Sequence, residues 1–165
     1  MMPGALWLDV DTRAGVLIDT NLLILLIVGT VNRNRIQNFK RTNQYTPEHY
    51  DFLVGILNHF QQWFTVAHVM AEVSNLTDLS GSERTMARQL LKQTISTMTE
   101  AEMPSRLAAE DTLYNNLGLT DAAIAAVVRA RRCTLLTDDL DLFLAATREV
   151  SALKFSHLWS RAWGL

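Results

Sequence analysis

"GVLIDTNLLI", residues 15–24, is an apolar run that is interrupted by a polar triplet, Asp19, Thr20 and Asn21. Residues 15–18 predict a short buried strand, bounded by Gly15 and Asp19. An ionised carboxylate beside a buried segment is costly unless a partner offsets its charge. We therefore expect Asp19 to cap a helix, to pair with another side chain or to bind a cation.

The composition is typical of a soluble globular protein with one sizeable core. The chain has 165 residues, 48% hydrophobic and 19% charged, and this length suits a single domain over residues 1–165. A net charge of -2 gives no global attraction to nucleic acid, so such a function must rest on a local patch. The one cysteine, Cys133, excludes an internal disulfide and a multi-cysteine zinc site, and it fits a reducing cytoplasm.

Neither a secretory signal nor a membrane span is expected. The early apolar run at residues 22–28 is far shorter than the roughly 20 residues that a spanning helix needs. Residues 1–14 precede the first predicted strand as an N-terminal extension. These residues could form an extra strand or a loose arm, or they could be an extension that results from an early translation start.

Short apolar strands alternate with helical patterns along the rest of the chain. Strands are predicted at residues 15–18, 63–66 and 133–137, with a last strand within 151–158. The residues between the strands predict helices at 21–29, 46–60, 67–79, 80–98, 105–118, 119–132 and 139–149. Ser82 is the predicted cap of the helix at 80–98. The polar residues 30–45 predict a loop or a ragged helix. This alternation predicts an α/β fold, a central parallel β-sheet flanked by α-helices in an α/β/α sandwich.

Four acidic residues occupy related places in this pattern. Asp19 ends the first strand, Glu72 lies in the helix after the second strand, Asp121 opens a later helix and Asp139 follows the third strand. The carboxyl ends of parallel strands face one crevice, so these acids can meet there. Because clustered carboxylates repel one another, such a group is stable mainly when a cation neutralises it. Oxygen ligands favour Mg²⁺ or Mn²⁺, which activates a bound water and stabilises charge on a phosphate.

Each acid also has a structural alternative. Asp19 and Asp121 could cap or complement the helices that they precede. Asp139 shares an acid-rich turn with Asp138 and Asp141, where a carboxylate could simply be solvated. Glu72 could lie at the surface, although apolar residues surround it in the sequence.

Four blocks of the chain resemble the PIN-domain ribonucleases, particularly the VapC-like toxins of toxin–antitoxin systems. The blocks are "VLIDTNLLI" at 16–24, "AHVMAEVSNL" at 67–76, "GLTDAAIAAVVR" at 118–129 and "CTLLTDDLDLFLAA" at 133–146, and they occur in the family's order. The resemblance implies a PIN-like fold and Mg²⁺- or Mn²⁺-dependent cleavage of RNA, with 3′-hydroxyl and 5′-phosphate products. It also implies a homodimer and a cognate antitoxin that inserts a tail into the acidic groove.

The resemblance also assigns roles to individual residues. It places the family's metal-binding and catalytic acids on Asp19, Glu72, Asp121 and Asp139. The last of these is chosen by a T-x-D pattern after Thr137, with Asp138 as the rival at that position. The polar helper positions are Asn21 and Thr137, which support the ligands from behind.

A basic segment follows the first predicted helix. Arg33, Arg35, Lys40 and Arg41 occur there, interleaved with aromatic Phe39 and Tyr45 and without an acidic residue between Thr20 and Pro47. Cations that meet phosphates and rings that stack on bases suit single-stranded RNA. The alternatives are a solvated surface loop and a binding region for the antitoxin tail.

Two other classes of function compete with a nuclease. The first is a non-catalytic PIN-like module that binds RNA or protein. The second is another acid-rich α/β protein, a phosphatase or a receiver domain. A receiver would need a second acid beside Asp19, which the sequence lacks. There is also no histidine zinc motif, Gly-rich phosphate loop or G-x-S-x-G sequence.

Overall fold

The computed structural model of the protein describes residues 10–165. Residues 1–9 of the predicted N-terminal extension lie outside the described residues. The rest of the extension forms a 3-10 turn at Thr12–Ala14, and the Asp11 side chain caps it by accepting a hydrogen bond from the Arg13 amide at 3.0 Å. Gly15 then turns the chain into the sheet with φ +82°, where a Cβ would lie 2.7 Å from the Phe64 ring. Only glycine suits this turn.

Within residues 10–165, five parallel strands form one sheet, which confirms the predicted α/β fold. In chain order they are β1 (Val16–Ile18), β2 (Trp63–Thr65), β3 (Thr99–Glu100), β4 (Thr134–Thr137) and β5 (Ala152–Lys154). The spatial order is β3-β2-β1-β4-β5, with every neighbouring pair parallel. Strand β3, the short edge strand, was not predicted.

Helices cover the sheet and join its strands. They are α1 (Thr20–Val31), α2 (Pro47–Leu57), α3 (Ala67–Leu76), α4 (Gly81–Thr97), α5 (Ser105–Ala109), α6 (Tyr114–Leu117), α7 (Leu119–Arg131), α8 (Leu140–Ala146) and α9 (Phe155–Trp163). The single helix predicted over 105–118 is wrong, because a turn between α5 and α6 divides it. The cap predicted at Ser82 is also wrong, since α4 begins after Ser80. The structure adds α9, which directly follows β5.

The central strands and α1 explain why the first apolar run is continuous. Strand β1 is fully buried between β2 and β4, and α1 buries Leu22–Leu25 against the same core. A strand covered on both faces needs apolar side chains throughout. Pairing of Ile18 with Leu136 brings the carboxyl ends of β1 and β4 side by side. Asp19 and the turn after β4 therefore meet at one edge of the sheet.

Within residues 10–165, none of the helices has the length and apolar character that crossing a membrane requires. The polar residues after α1 form a 3-10 helix, Arg33–Asn38, followed by turns that lead into α2. This observation agrees with the predicted loop or ragged helix.

Candidate functional site

A cavity of about 500 Å³ opens at the carboxyl ends of β1 and β4. The predicted acids Asp19, Glu72, Asp121 and Asp139 all line it, although they come from four separate parts of the chain. Its remaining walls are polar and aliphatic residues, Thr20, Asn21, Leu76, Leu117, Gly118, Leu119 and Thr120. The sheet topology thus gathers the acids as expected for parallel strands.

Asp19 is held rigidly at the floor of this cavity. It caps α1, and its Oδ1 accepts a hydrogen bond from the Leu22 amide at 3.0 Å. Its Oδ2 accepts hydrogen bonds from the Thr137 hydroxyl and, at 3.2 Å, from the Asp138 amide. Only 4% of Asp19 is exposed, and this burial raises its pKa to about 6 against the opposing effect of these hydrogen bonds. The capping role and the site role therefore coexist in one side chain.

Asp139 lies at the start of α8, directly after the turn that holds Asp19. Its Oδ1 accepts a hydrogen bond from the Leu142 amide at 2.8 Å and caps the helix, and its own amide donates to Thr137 Oγ1 at 3.0 Å. Thr137 consequently contacts both acids, through the carboxylate of Asp19 and the amide of Asp139.

Glu72 lies in the second turn of α3 and lines the cavity. Two threonine hydroxyls hold its carboxylate: Thr20 donates to Oε2 at 2.9 Å, and Thr120 donates to Oε1 at 2.6 Å. These hydroxyls come from α1 and α7, so Glu72 is oriented from both sides. The prediction missed both threonines, although each adjoins a predicted polar or acidic site residue in the sequence.

Among the described residues, 10–165, Asp121 is the one acid of the four whose carboxylate accepts no hydrogen bond. It lies in the first turn of α7, where Gly118 occupies the cap position, so Asp121 does not cap the helix, but its charge does lie where it complements the helix dipole. Burial and then the negative charges of Asp139, Asp19 and Glu72 raise its pKa to about 7. The raised pKa therefore reflects a carboxyl that is partly removed from water and that faces three further acids.

Asp138 and Asp139, the two candidates for the fourth acid, differ in where their carboxylates lie. Asp139 lines the cavity, whereas both carboxylate oxygens of Asp138 are engaged by Tyr45, Lys154 and the Ser156 amide. The T-x-D choice of Asp139 therefore agrees with its placement. Asn21 lines the cavity and is exposed, but among the described residues it donates no hydrogen bond to Asp19.

The donor set suits a hard divalent cation. Carboxylates and hydroxyls supply only oxygen, which Mg²⁺ and Mn²⁺ prefer, and a cation would relieve the repulsion on Asp121. Across residues 10–165, however, no three acidic, histidine or cysteine side chains converge on one ion position. Mg²⁺ keeps several of its waters, so fewer direct protein ligands are needed. The cavity therefore fits a divalent cation in the type of its donor atoms and in its negative charge.

The predicted RNA-binding cations are mostly paired with acids. Arg33 forms a bidentate pair with Asp51, Arg35 contacts Glu83 at 2.9 Å, and Lys40 contacts Asp78 at 3.0 Å. For Arg41, which is exposed, the described part of the chain offers no ion pair.

The predicted stacking of Phe39 and Tyr45 on bases is wrong. Phe39 is 8% exposed and Tyr45 is 3% exposed, because both rings pack into the core. An aromatic residue in a polar segment thus anchors the segment to the protein, and a ring that is this deeply buried offers no face to a base.

The chain belongs to the PIN domain family, whose model matches residues 16–148. PIN domains are generally nucleases, and they typically use divalent metal ions. Among solved structures, the chain is similar to the crystal structure of PAE2754 from Pyrobaculum aerophilum, with a TM-score of 0.54 and 17% identity over 94% of this chain and 100% of that one. This likeness supports the fold. No curated protein sequence matches the chain.

Proposed function

We propose that this protein is a Mg²⁺- or Mn²⁺-dependent endoribonuclease that hydrolyses RNA phosphodiester bonds. The observation that carries the proposal is the gathering of Asp19, Glu72, Asp121 and Asp139 around one cavity, where burial and then the other three charges raise the pKa of Asp121. Four crowded carboxylates fit a site whose resting charge is offset by a cation. The family membership supports the same reaction class.

The four acids would hold the metal, and the residues behind them would keep the carboxylates in place. When bound, the cation lowers the pKa of a coordinated water and offsets negative charge on the scissile phosphate. Thr137 and the Asp138 amide orient Asp19, while Thr20 and Thr120 orient Glu72. Asp121 exchanges a proton near neutral pH when the cation is absent. These contacts preorganise the carboxylates, which lowers the cost of arranging them during the reaction.

We also propose that RNA reaches the cavity past the polar segment after α1, with Arg41 as its most available cation. A phosphate would have to displace a carboxylate from Arg33, Arg35 or Lys40, whereas Arg41 can accept one directly. The expected biological setting is that of a toxin, a homodimer in the cytoplasm restrained by a cognate antitoxin. A tail carrying basic residues would complement the acidic cavity and block it.

The test is cleavage of a mixed RNA pool by the purified protein in Mg²⁺, in Mn²⁺ and in EDTA. Asp19→Asn and Glu72→Gln remove one charge each and preserve shape. Asp141→Asn is the matched control, since Asp141 is exposed on α8 and lies outside the cavity. We expect metal-dependent cleavage that falls at least about 100-fold in the site variants and persists in the control. Metal binding by the folded wild type without any cleavage would instead favour the non-catalytic RNA- or protein-binding module.

A further inference from the structure

We propose that Tyr45, Asp138, Lys154 and Ser156 form a positioning bracket for the acidic site. In this bracket Asp138 acts through the turn after β4 and binds no metal itself. The inference rests on the proposed nuclease function, because it assigns a role to the residues behind that site. It goes beyond the four acids and their hydroxyl partners.

The contacts of Asp138 occupy its whole carboxylate. Oδ1 accepts hydrogen bonds from Lys154 Nζ at 3.2 Å and from the Ser156 amide at 3.0 Å. Oδ2 accepts a hydrogen bond from the Tyr45 hydroxyl at 2.9 Å. Asp138 does not line the cavity, and one of its three donors, Lys154, carries the opposite charge, so this carboxylate is poorly placed to bind a cation there.

The backbone of the same turn carries these contacts into the site. The Asp138 amide donates to Asp19 Oδ2, the oxygen that also accepts from the Thr137 hydroxyl. The next amide, that of Asp139, donates to Thr137 Oγ1. Movement of the Asp138 side chain would therefore shift the donors of Asp19 and the backbone of Asp139 together.

Charge explains why a lysine lies at this place. The side chains of Lys154 and Asp138 are only 11% and 16% exposed. Asp138 would otherwise add a fifth negative charge beside four crowded carboxylates, and its charge already opposes ionisation of Asp19. The Lys154 ammonium, which is not among the residues that line the cavity, offsets that charge. Removing one member of such a pair leaves the other charge buried and uncompensated.

The bracket joins the turn after β4 to the nearby end of β5 and to Tyr45, which is 93 positions away in the sequence. Lys154 ends the edge strand β5, where it pairs in register with Thr137 of β4. Tyr45 ends the polar segment before α2, and its ring packs edge-on against Phe155 at 6.0 Å between centroids. The turn after β4 is thus fixed both from the sheet edge and from the polar segment. This double attachment suits a turn that must hold two site carboxylates in register.

The test uses Tyr45→Phe, which keeps the ring, and Lys154→Met, which keeps the aliphatic stem, with Lys154→Arg as the conservative rescue. Asp111→Asn is the matched control. Its carboxylate pairs with Arg129 and is also largely buried, but it does not line the acidic cavity, and its partner Arg129 lines a separate cavity with Cys133 and Glu149. The readouts are hydrogen exchange of the amides at 138–142, steady-state cleavage and the Mn²⁺ concentration that gives half-maximal cleavage.

We expect exchange at 138–142 to accelerate at least about fivefold in Tyr45→Phe and Lys154→Met. We expect kcat to fall about tenfold and the Mn²⁺ midpoint to rise about tenfold, with the KM for RNA unchanged, as for other residues behind metal ligands. Lys154→Arg should recover kcat to within about threefold of wild type, and Asp111→Asn should match wild type in all three readouts.

Bracket variants that exchange and cleave like Asp111→Asn would overturn the proposal. It would also be overturned if Tyr45→Phe abolished cleavage as completely as Asp19→Asn while exchange stayed unchanged. If the wild type bound no metal and cut no RNA, the proposed function would fail by itself. Hydrogen exchange would then decide whether the bracket fixes the turn, because faster exchange supports it and unchanged exchange overturns it.

Discussion

The hydroxyl of Thr120, on α7, donates a 2.6 Å hydrogen bond to Oε1 of Glu72, on α3. Thr20, on α1, donates to the other oxygen of the same carboxylate at 2.9 Å. One acid is therefore oriented by hydroxyls from two other helices. A carboxylate held in this way keeps its direction when a ligand arrives.

Removing the Thr120 hydroxyl should impair cleavage more than folding. Thr120→Val keeps the shape of the side chain and deletes the donor to Glu72, so we expect kcat to fall about tenfold. Thr120→Ser retains a donor and should stay within about threefold of wild type. Steady-state cleavage and urea unfolding of the three proteins check this. Equal kcat values for Thr120→Val and wild type would show that the hydrogen bond has no role in activity.

Asp121→Asn should stabilise the metal-free protein at pH 8. The pKa of Asp121 is about 7 in the folded state and near 3.8 in the unfolded chain, so folding favours its protonated form. Ionisation of Asp121 therefore destabilises the folded protein. This destabilisation grows as the pH rises from about 4 to 7 and is complete above 7. Because Asp121 is partly solvated, we expect a gain of about 1 kcal/mol at pH 8, shrinking toward pH 4.

Urea unfolding in EDTA at several pH values measures this effect. Asp141→Asn, on the exposed face of α8, provides the control for loss of a carboxylate that is not crowded. If Asp121→Asn were less stable than wild type at pH 8, the ionised Asp121 of the wild type would not be disfavoured by burial and by the neighbouring acids.

Arg41→Ala should weaken RNA binding more than Arg33→Ala. Arg33 is already engaged by both carboxylate oxygens of Asp51, whereas the described residues provide Arg41 with no ion pair. We expect a rise in KM of about threefold to fivefold for Arg41→Ala, with a smaller salt dependence, and less than twofold for Arg33→Ala. Cleavage at two salt concentrations tests this. Equal effects on KM would indicate that RNA does not distinguish paired from available cations in this segment.

Gly29→Ala should destabilise the protein although alanine favours helices. A Cβ at position 29 of α1 would overlap the Tyr50 ring of α2. Overpacking of this kind costs about 1–3 kcal/mol, more than the roughly 1 kcal/mol that helix propensity returns. Thermal unfolding measures the change. When Gly29→Ala is added to the Tyr50→Ala variant, the further loss of stability relative to Tyr50→Ala alone should be much smaller. A loss of the same size would show that the Tyr50 ring is not its cause.

The central fold was accessible from the sequence because its strands are buried on both faces. Strand β1, "VLI", is wholly apolar, and β4, "TLLT", has an apolar centre between two threonines; both strands are short and fully buried, as central parallel strands are. Asp19 and Asp139 follow these strands directly, so the geometry of a parallel sheet was sufficient to place them together. Asp121 and Glu72 belonged to recognisable blocks, and all four line one cavity.

Other features depend on contacts that a linear pattern does not contain. Strand β3 has two residues, too few to show any periodicity. The Tyr45–Asp138 contact spans 93 positions and turned an expected base-stacking residue into a buried anchor. Helix α9 carried a detectable signal, since Phe155, Leu158 and Trp159 follow helical spacing, but it starts directly where β5 ends and the boundary hid it.

Anomalous diffraction from a crystal soaked in Mn²⁺ would locate the metal itself. We expect an anomalous peak in the cavity at the carboxyl ends of β1 and β4, with oxygens of Asp19 and Asp139 among the ligands, and no peak in an Asp19→Asn crystal. A cavity without manganese in the wild type, under conditions where the same protein cleaves RNA, would contradict the assignment of these four acids as the metal site.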